Sequence, residues 1–176
     1  MSFKARLSAR TAHLREAGIL RQLTLKVAAF PDGLNLGQGV CDLEMPPLLR
    51  AAAVDSLFKD RATYTPFAGV PELRDAIRRR TARRYGLDYA DDEIVVTVGS
   101  SMAYTAVVMT LCDPGDEVVL FEPFYPYHRS LAMLAGAVVK PVRLDQDVVD
   151  WDGLAAALGP KTRLVVVNTP SNPLGK

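Results

Sequence analysis

Metal and disulfide chemistry have little to work with here: 176 residues hold two cysteines, Cys41 and Cys112, and two histidines, His13 and His128. The cysteines lie far apart and form no CxxC pair, so neither a zinc site nor a disulfide framework is suggested. The histidines are equally isolated along the chain. An excess of one charge is missing too. Lysine plus arginine number 21 against 20 aspartates and glutamates, which removes any bulk attraction for nucleic acid or an anionic membrane. No apolar run approaches the length of a bilayer-spanning helix. Nucleotide-binding loops are absent as well. There is no GxxxxGK[ST], and Gly37-Gln38-Gly39 has Asp42 where a dinucleotide fingerprint needs its third glycine, with Pro46-Pro47 where its helix would run.

What remains is the composition of a soluble globular protein, 49% apolar and 23% charged. The N-terminus carries Lys4, Arg6, Arg10 and Arg15 with Ser2, Ser8 and Thr11, and no acid before Glu16. Amphipathic transit peptides share that composition. An amphipathic surface helix is the commoner origin, with Leu7, Leu14, Ile19 and Leu20 at loosely helical spacing, and the cytoplasm is the expected compartment.

Residues 1–30 read as helical, up to the Pro31-Asp32-Gly33 punctuation, and 34–40 as a short extended segment. A helix over 47–58 follows the proline pair. Another begins at Pro71, with proline in its first turn, and stops at Gly86. It carries Arg74, Arg78, Arg79, Arg80, Arg83 and Arg84, read as the wet side of an amphipathic helix rather than a nucleic-acid patch. Apolar, β-branched runs at 93–99, 117–122, 137–142 and 163–168 then alternate with helical stretches ending near Leu111, over 126–135 and over 151–158. This pattern predicts an α/β fold in three layers, a mostly parallel sheet with flanking helices. The last strand has no helix to return the chain, so the unit reads as incomplete.

In parallel α/β sheets ligands collect at the carboxyl ends of the strands. Three such ends are chemically loaded. Gly99-Ser100-Ser101-Met102-Ala103 opens a helix, and its backbone amides and hydroxyls suit an anion, although serine and glycine also serve as ordinary caps. Glu122-Pro-Phe-Tyr-Pro-Tyr127 offers rigid aromatic surfaces for a flat heteroaromatic ring, or a loop packed on its neighbour. Asn168-Thr-Pro-Ser-Asn172-Pro-Leu-Gly175 places two amide donors in a proline-stiffened loop. Asparagine, proline and glycine are also turn formers, but so many fixed positions in eight residues make this the most specific of the three.

In that order these motifs resemble the class I/II aminotransferases, the fold-type I pyridoxal-phosphate enzymes, closest in flavour to the kynurenine and aspartate/aromatic branch. Asn-Thr-Pro-Ser-Asn-Pro-Leu-Gly-Lys at 168–176 is similar to the family's asparagine-proline-glycine signature. Leu-Gly-Gln-Gly at 36–39 resembles its substrate-carboxylate strand. Thr-Val-Gly-Ser-Ser-Met-Ala at 97–103 resembles the phosphate loop, and Asp-Pro-Gly-Asp-Glu-Val at 113–118 the approach to the stacking strand. The resemblance implies pyridoxal 5'-phosphate as cofactor, with its phosphate on Ser100 and Ser101, its ring on Tyr125 and its phenolic oxygen on Asn172. It implies Asn168 and Gly39 near the substrate carboxylate, and Tyr64 reaching the cofactor phosphate of a second subunit. Amino acids and 2-oxo acids are the implied substrates, and a homodimer the implied assembly. Residues 1–45 would serve the smaller domain and dimer arm, and 46–176 the first part of the large cofactor domain.

The departures from the family pattern lie downstream. Its cofactor-bonding lysine, the aspartate beside the pyridine nitrogen and the arginine that clamps the substrate carboxylate all follow the asparagine motif. Lys176 sits inside that motif and is not the Schiff-base lysine. No catalytic residue is therefore assigned, and the expectation is an N-terminal portion inactive by itself. Alternatives left open are other pyridoxal-phosphate carbanion chemistry (a β-lyase or cyclopropane-carboxylate synthase) and a non-catalytic product that only binds or dimerises.

Overall fold

In a computed structural model, residues 8–13, 19–37, 39, 41–59, 63–145 and 148–176 are described. They form two compact units, one of Met1–Gln38 with Val98–Lys176 and one of Gly39–Thr97.

The first unit is built around a four-stranded sheet in the order β3-β2-β1-β4, where β1 is Glu117–Glu122, β2 Val138–Asp145, β3 Val148–Val149 and β4 Thr162–Val166. The sheet is mixed. β1 runs parallel to both neighbours, pairing Val118 with Val139 and with Leu164, and β3 turns back antiparallel on β2. The central position of β1 explains its composition. A strand flanked on both edges and covered on both faces has no wet side, and Val118, Val119 and Leu120 are 0%, 0% and 1% exposed.

Helices α1 (Ile19–Val27), α4 (Gly99–Leu111), α5 (Pro126–Leu134) and α6 (Trp151–Ala157) belong to this unit. α4 and α5 pack on each other and α5 on the sheet. Val108, Cys112 and Ala132 close a core with Val118, Leu120 and Ala137. The period-two alternation of β4 sends Leu164 and Val166 to that core and leaves Val165 between them 43% exposed. The loop ahead of β1 is a turn closed by its own acid: the Asp113 N–H donates to Asp116 Oδ2 at 2.9 Å, and Arg163 Nε reaches the same oxygen at 3.2 Å. Those two bonds, the backbone one first, hold the Asp116 carboxyl below its usual range.

The second unit contains α2 (Pro47–Lys59) and α3 (Pro71–Tyr85). α3 begins with proline at its first turn and ends at Gly86 in the left-handed region, as read from the sequence. Four of its arginines lie on the wet face, Arg79, Arg80, Arg83 and Arg84. Arg74 instead donates to the Ile94 carbonyl at 3.1 Å, and Arg78 pairs with Asp75 at 2.8 Å.

The expected strand at 93–99 is not one. Asp91–Glu93 form a 3-10 turn, 94–97 form no ladder, and Val98 is a bend. A β-branched apolar run proposes a strand, but a strand needs a neighbouring edge. Among the described residues this run has none, and its polar groups go elsewhere: the Val96 N–H donates to the Ala68 carbonyl and Ile94 accepts from Arg74. Gly69 permits that approach. At φ +103°, with Val96 Cγ2 only 2.6 Å from where a Cβ would stand, no other residue fits. The segment over 34–37 likewise forms no strand.

Candidate functional site

Three loops of the first unit leave the sheet and its helices at the positions the sequence marks. The first is the start of α4. Gly99 takes φ +75°, and a Cβ there would meet nothing within 4 Å, so the backbone is open to close approach. The first-turn amides of an α-helix lack intrahelical acceptors, and the N-cap residue, Val98, has no side chain that could cap them. Ser100 is exposed and Ser101 half-buried. The chemistry on offer is backbone N–H groups, two hydroxyls and the positive end of a thirteen-residue helix.

The second loop joins β1 to α5. Phe124 turns into the core and Tyr125 is the N-cap residue of α5, in extended backbone conformation. The Tyr125 ring stacks on Tyr127 with centroids 5.1 Å apart and planes at 29°. It also meets His128 in a T-shaped contact at 5.5 Å and 83°. His128 in turn lies 4.8 Å from the ring of Tyr104 on α4. Burial governs the titration of both partners. It pushes the Tyr104 hydroxyl up to about 12, with the nearby Cys112 adding to the shift, and pushes His128 below its ordinary value. Both are neutral near pH 7, and the Tyr104 hydroxyl has no hydrogen-bond partner.

The third loop follows β4. The Ser171 N–H donates to the Lys176 carbonyl and the Gly175 N–H to the Ser171 carbonyl, each at 2.6 Å, closing residues 171–176 on themselves. Asn168, Thr169, Ser171, Asn172 and Lys176 line a cavity of about 460 Å³ shared with Phe124 and His128, its remaining wall apolar. Within that group Ser171 Oγ is buried and unpartnered. A mostly apolar cavity of this size with a few convergent polar groups is the usual form of a small-molecule site.

Of the residues singled out from sequence, Asn168 and Asn172 share one cavity, and Tyr125 contacts His128 on its wall. Ser100 and Ser101 stand at the start of α4, which packs on both α5 and β4. Gly39 and Tyr64 belong to the second unit. There Gly39 is exposed with nothing within 4 Å of a Cβ position, and Tyr64 is fully exposed. His128, isolated in the sequence, is not isolated in the fold, since it touches two aromatic rings and the cavity. Tyr104 and Ser171 were also missed. The i, i+3 spacing of Tyr125 and His128 at a helix start was the available signal. No group of three metal-capable side chains occurs among the described residues, and no described helix is long and apolar enough to cross a membrane.

The family model for aminotransferase class I and II matches residues 31–176. A probable N-succinyldiaminopimelate aminotransferase of Mycobacterium tuberculosis is 40% identical over 147 residues, 81% of this chain and 37% of the relative. A probable aspartate aminotransferase of Methanocaldococcus jannaschii is 34% identical over 97% of this chain and 45% of its own length. Among solved structures, an aspartate aminotransferase variant of Thermus thermophilus superposes with a TM-score of 0.85 at 30% identity, covering 98% of this chain and 47% of that one. The chain thus spans less than half the length of these relatives.

Proposed function

Because this chain belongs to the class I and II aminotransferases, whose members depend on pyridoxal phosphate, we propose that it forms the front half of a pyridoxal-phosphate pocket. In the whole protein that pocket would move an amino group between an amino acid and a 2-oxo acid. The carrying observation is the 460 Å³ cavity where Asn168, Asn172 and the orphaned Ser171 hydroxyl meet the aromatic segment after β1. The donor set suits the group: a helix N-terminus and hydroxyls for a phosphate, a tyrosine face for a pyridine ring, and amides for anionic oxygens.

When bound, the cofactor supplies the electron sink that makes amino-acid carbanion chemistry accessible. This chain's residues supply their half of the binding. The amides of Ser100 and Ser101 and a serine hydroxyl take the phosphate dianion at the α4 end. Tyr125, backed by Tyr127 on one face, offers its other face to the ring. The Asn172 amide donates to the phenolic oxygen and so favours its charged form. Asn168 serves the substrate carboxylate. Tyr64 is fully exposed, as a side chain serving another subunit's phosphate must be, and on this reading the assembly is a homodimer. Residues 1–45 then contribute to the smaller domain and dimer contact, while 46–176 begin the cofactor domain. That functional division cuts across the two compact units. The compartment proposed is the cytoplasm.

Titrating the purified chain with pyridoxal 5'-phosphate, followed by the cofactor's visible absorption and circular dichroism, tests this. Saturable binding that inorganic phosphate competes away is expected. Binding indifferent to phosphate, or none, overturns the reading.

A further inference from the structure

The pocket as read above uses two separate supports, the start of α4 for the phosphate and Tyr125 at the start of α5 for the ring. A side chain outside both loops touches both elements. His128, one turn into α5, meets the Tyr125 ring in a T-shaped contact at 5.5 Å and the ring of Tyr104 at 4.8 Å. Tyr104 lies on α4, one turn past Ser100 and Ser101.

We propose that His128 is a positioning residue of the cofactor site, an aromatic spacer wedged between Tyr104 and Tyr125 that sets the ring platform relative to the phosphate-binding helix. The inference rests on the cofactor reading given above. Its physical basis is directional. Edge-to-face ring contacts have preferred orientations, so a ring held at 83° to Tyr125 restrains that tyrosine's tilt as well as its place. On its other side Tyr125 is braced by Tyr127, stacked at 5.1 Å. Two neighbours at different angles restrain the Tyr125 ring in both tilt and place. His128 also lines the cavity shared with Asn168 and Asn172, so a shift of its ring alters the distance between platform and amides. Burial keeps the imidazole neutral, and a neutral ring packs here as an aromatic rather than as a cation. No hydrogen bond joins it to Tyr104, whose hydroxyl is unpartnered, so the wedge depends on ring shape rather than on a proton.

The test compares His128→Leu, which keeps volume and removes the ring, with His128→Phe, which keeps the ring and removes the nitrogens. Both are made in the full chain, alone and with Tyr125→Leu. Two quantities are read with pyridoxal 5'-phosphate: the dissociation constant and the visible circular dichroism of the bound cofactor. His128→Leu is expected to weaken binding roughly two- to fivefold and to diminish the dichroism. His128→Phe should restore both, and inorganic phosphate should bind all variants alike. In the Tyr125→Leu background, His128→Leu should add little, because its effect passes through that ring. Should His128→Leu fail to fold by its melt, His128→Gln takes its place in the same comparison. Full retention of affinity and dichroism in the ring-less variant overturns the proposal. Additive losses with Tyr125→Leu, or failure of His128→Phe to rescue, overturn it equally. A wild-type chain that binds no cofactor overturns the cofactor reading itself and this inference with it, an outcome visible in the wild-type arm alone.

Discussion

At the residue scale, substitution separates the proposed roles of Asn172 and Tyr125. In a chain extended to include the downstream half and loaded with pyridoxal 5'-phosphate, Asn172→Ala would remove the proposed donor to the phenolic oxygen. The titration midpoint of the cofactor's absorption should then rise while phosphate affinity stays near wild type. Tyr125→Leu should instead speed cofactor loss roughly fivefold, since a stacked aromatic pair contributes about 1 kcal/mol, and leave the midpoint in place. An unchanged midpoint in Asn172→Ala would return the 168–175 loop to the status of a turn. Tyr104 and His128 set the pH limits of the unit. The folded Tyr104 pKa is raised to about 12 from 10, so the unfolded chain ionises first, and stability present below pH 10 is lost as pH rises toward 12. His128 works at the acid end. Its folded pKa is depressed, so the unfolded chain takes the proton first. Stability is complete above the ordinary value of 6.5 and falls as pH drops through it. Denaturant midpoints across pH should show both slopes, with the acid one flattened in His128→Phe.

At the scale of elements, the central strand and the Gly69 turn carry the sharpest expectations. Leu120→Ala in β1 opens a cavity in a site 1% exposed, and a loss of about 2–5 kcal/mol is expected from the urea midpoint. Gly69→Ala meets two obstacles, a left-handed φ of +103° and the Val96 side chain at 2.6 Å. A loss of at least about 1 kcal/mol is expected, with faster amide exchange at Val96, whose N–H bonds the Ala68 carbonyl. Wild-type protection at Val96 in that variant would mean the 94–98 segment is held by something other than this turn. The helices at 47–59, 71–85 and 126–134 fall within a residue or so of their sequence reading, because a proline marks the start of each. The run at 93–99 departs from its reading because pairing is a property of the neighbour, not of the run.

For the whole molecule, the chain's match to less than half of its relatives' length sets the expectation. The 176-residue chain alone should show no turnover of amino and 2-oxo acids. Borohydride reduction with pyridoxal 5'-phosphate, followed by peptide mapping, should find no single lysine labelled stoichiometrically. Stoichiometric labelling of Lys176 accompanied by turnover would contradict this directly. Association is expected too. Leu48, Leu57 and Phe58 of α2 are 81%, 81% and 86% exposed, an apolar surface of the kind that marks an interface. Sedimentation at micromolar concentration should show species larger than a monomer.

Residue order alone determined the family resemblance, the alternation of strands and helices and the three loops that hold the candidate site. Each of those is written in local chemistry: β-branched runs, prolines at helix starts, and glycine, serine or asparagine where a backbone must bend or bind. Tertiary structure alone decided which runs became strands, that Asn168 and Asn172 face one cavity with His128, and that Tyr104 and Tyr125 meet across that histidine. Those facts depend on pairing edges and on the packing of α4 against α5, which join residues distant in the chain. A histidine that looks solitary in the sequence becomes a spacer between two rings because two helices pack there, and no local pattern encodes that meeting.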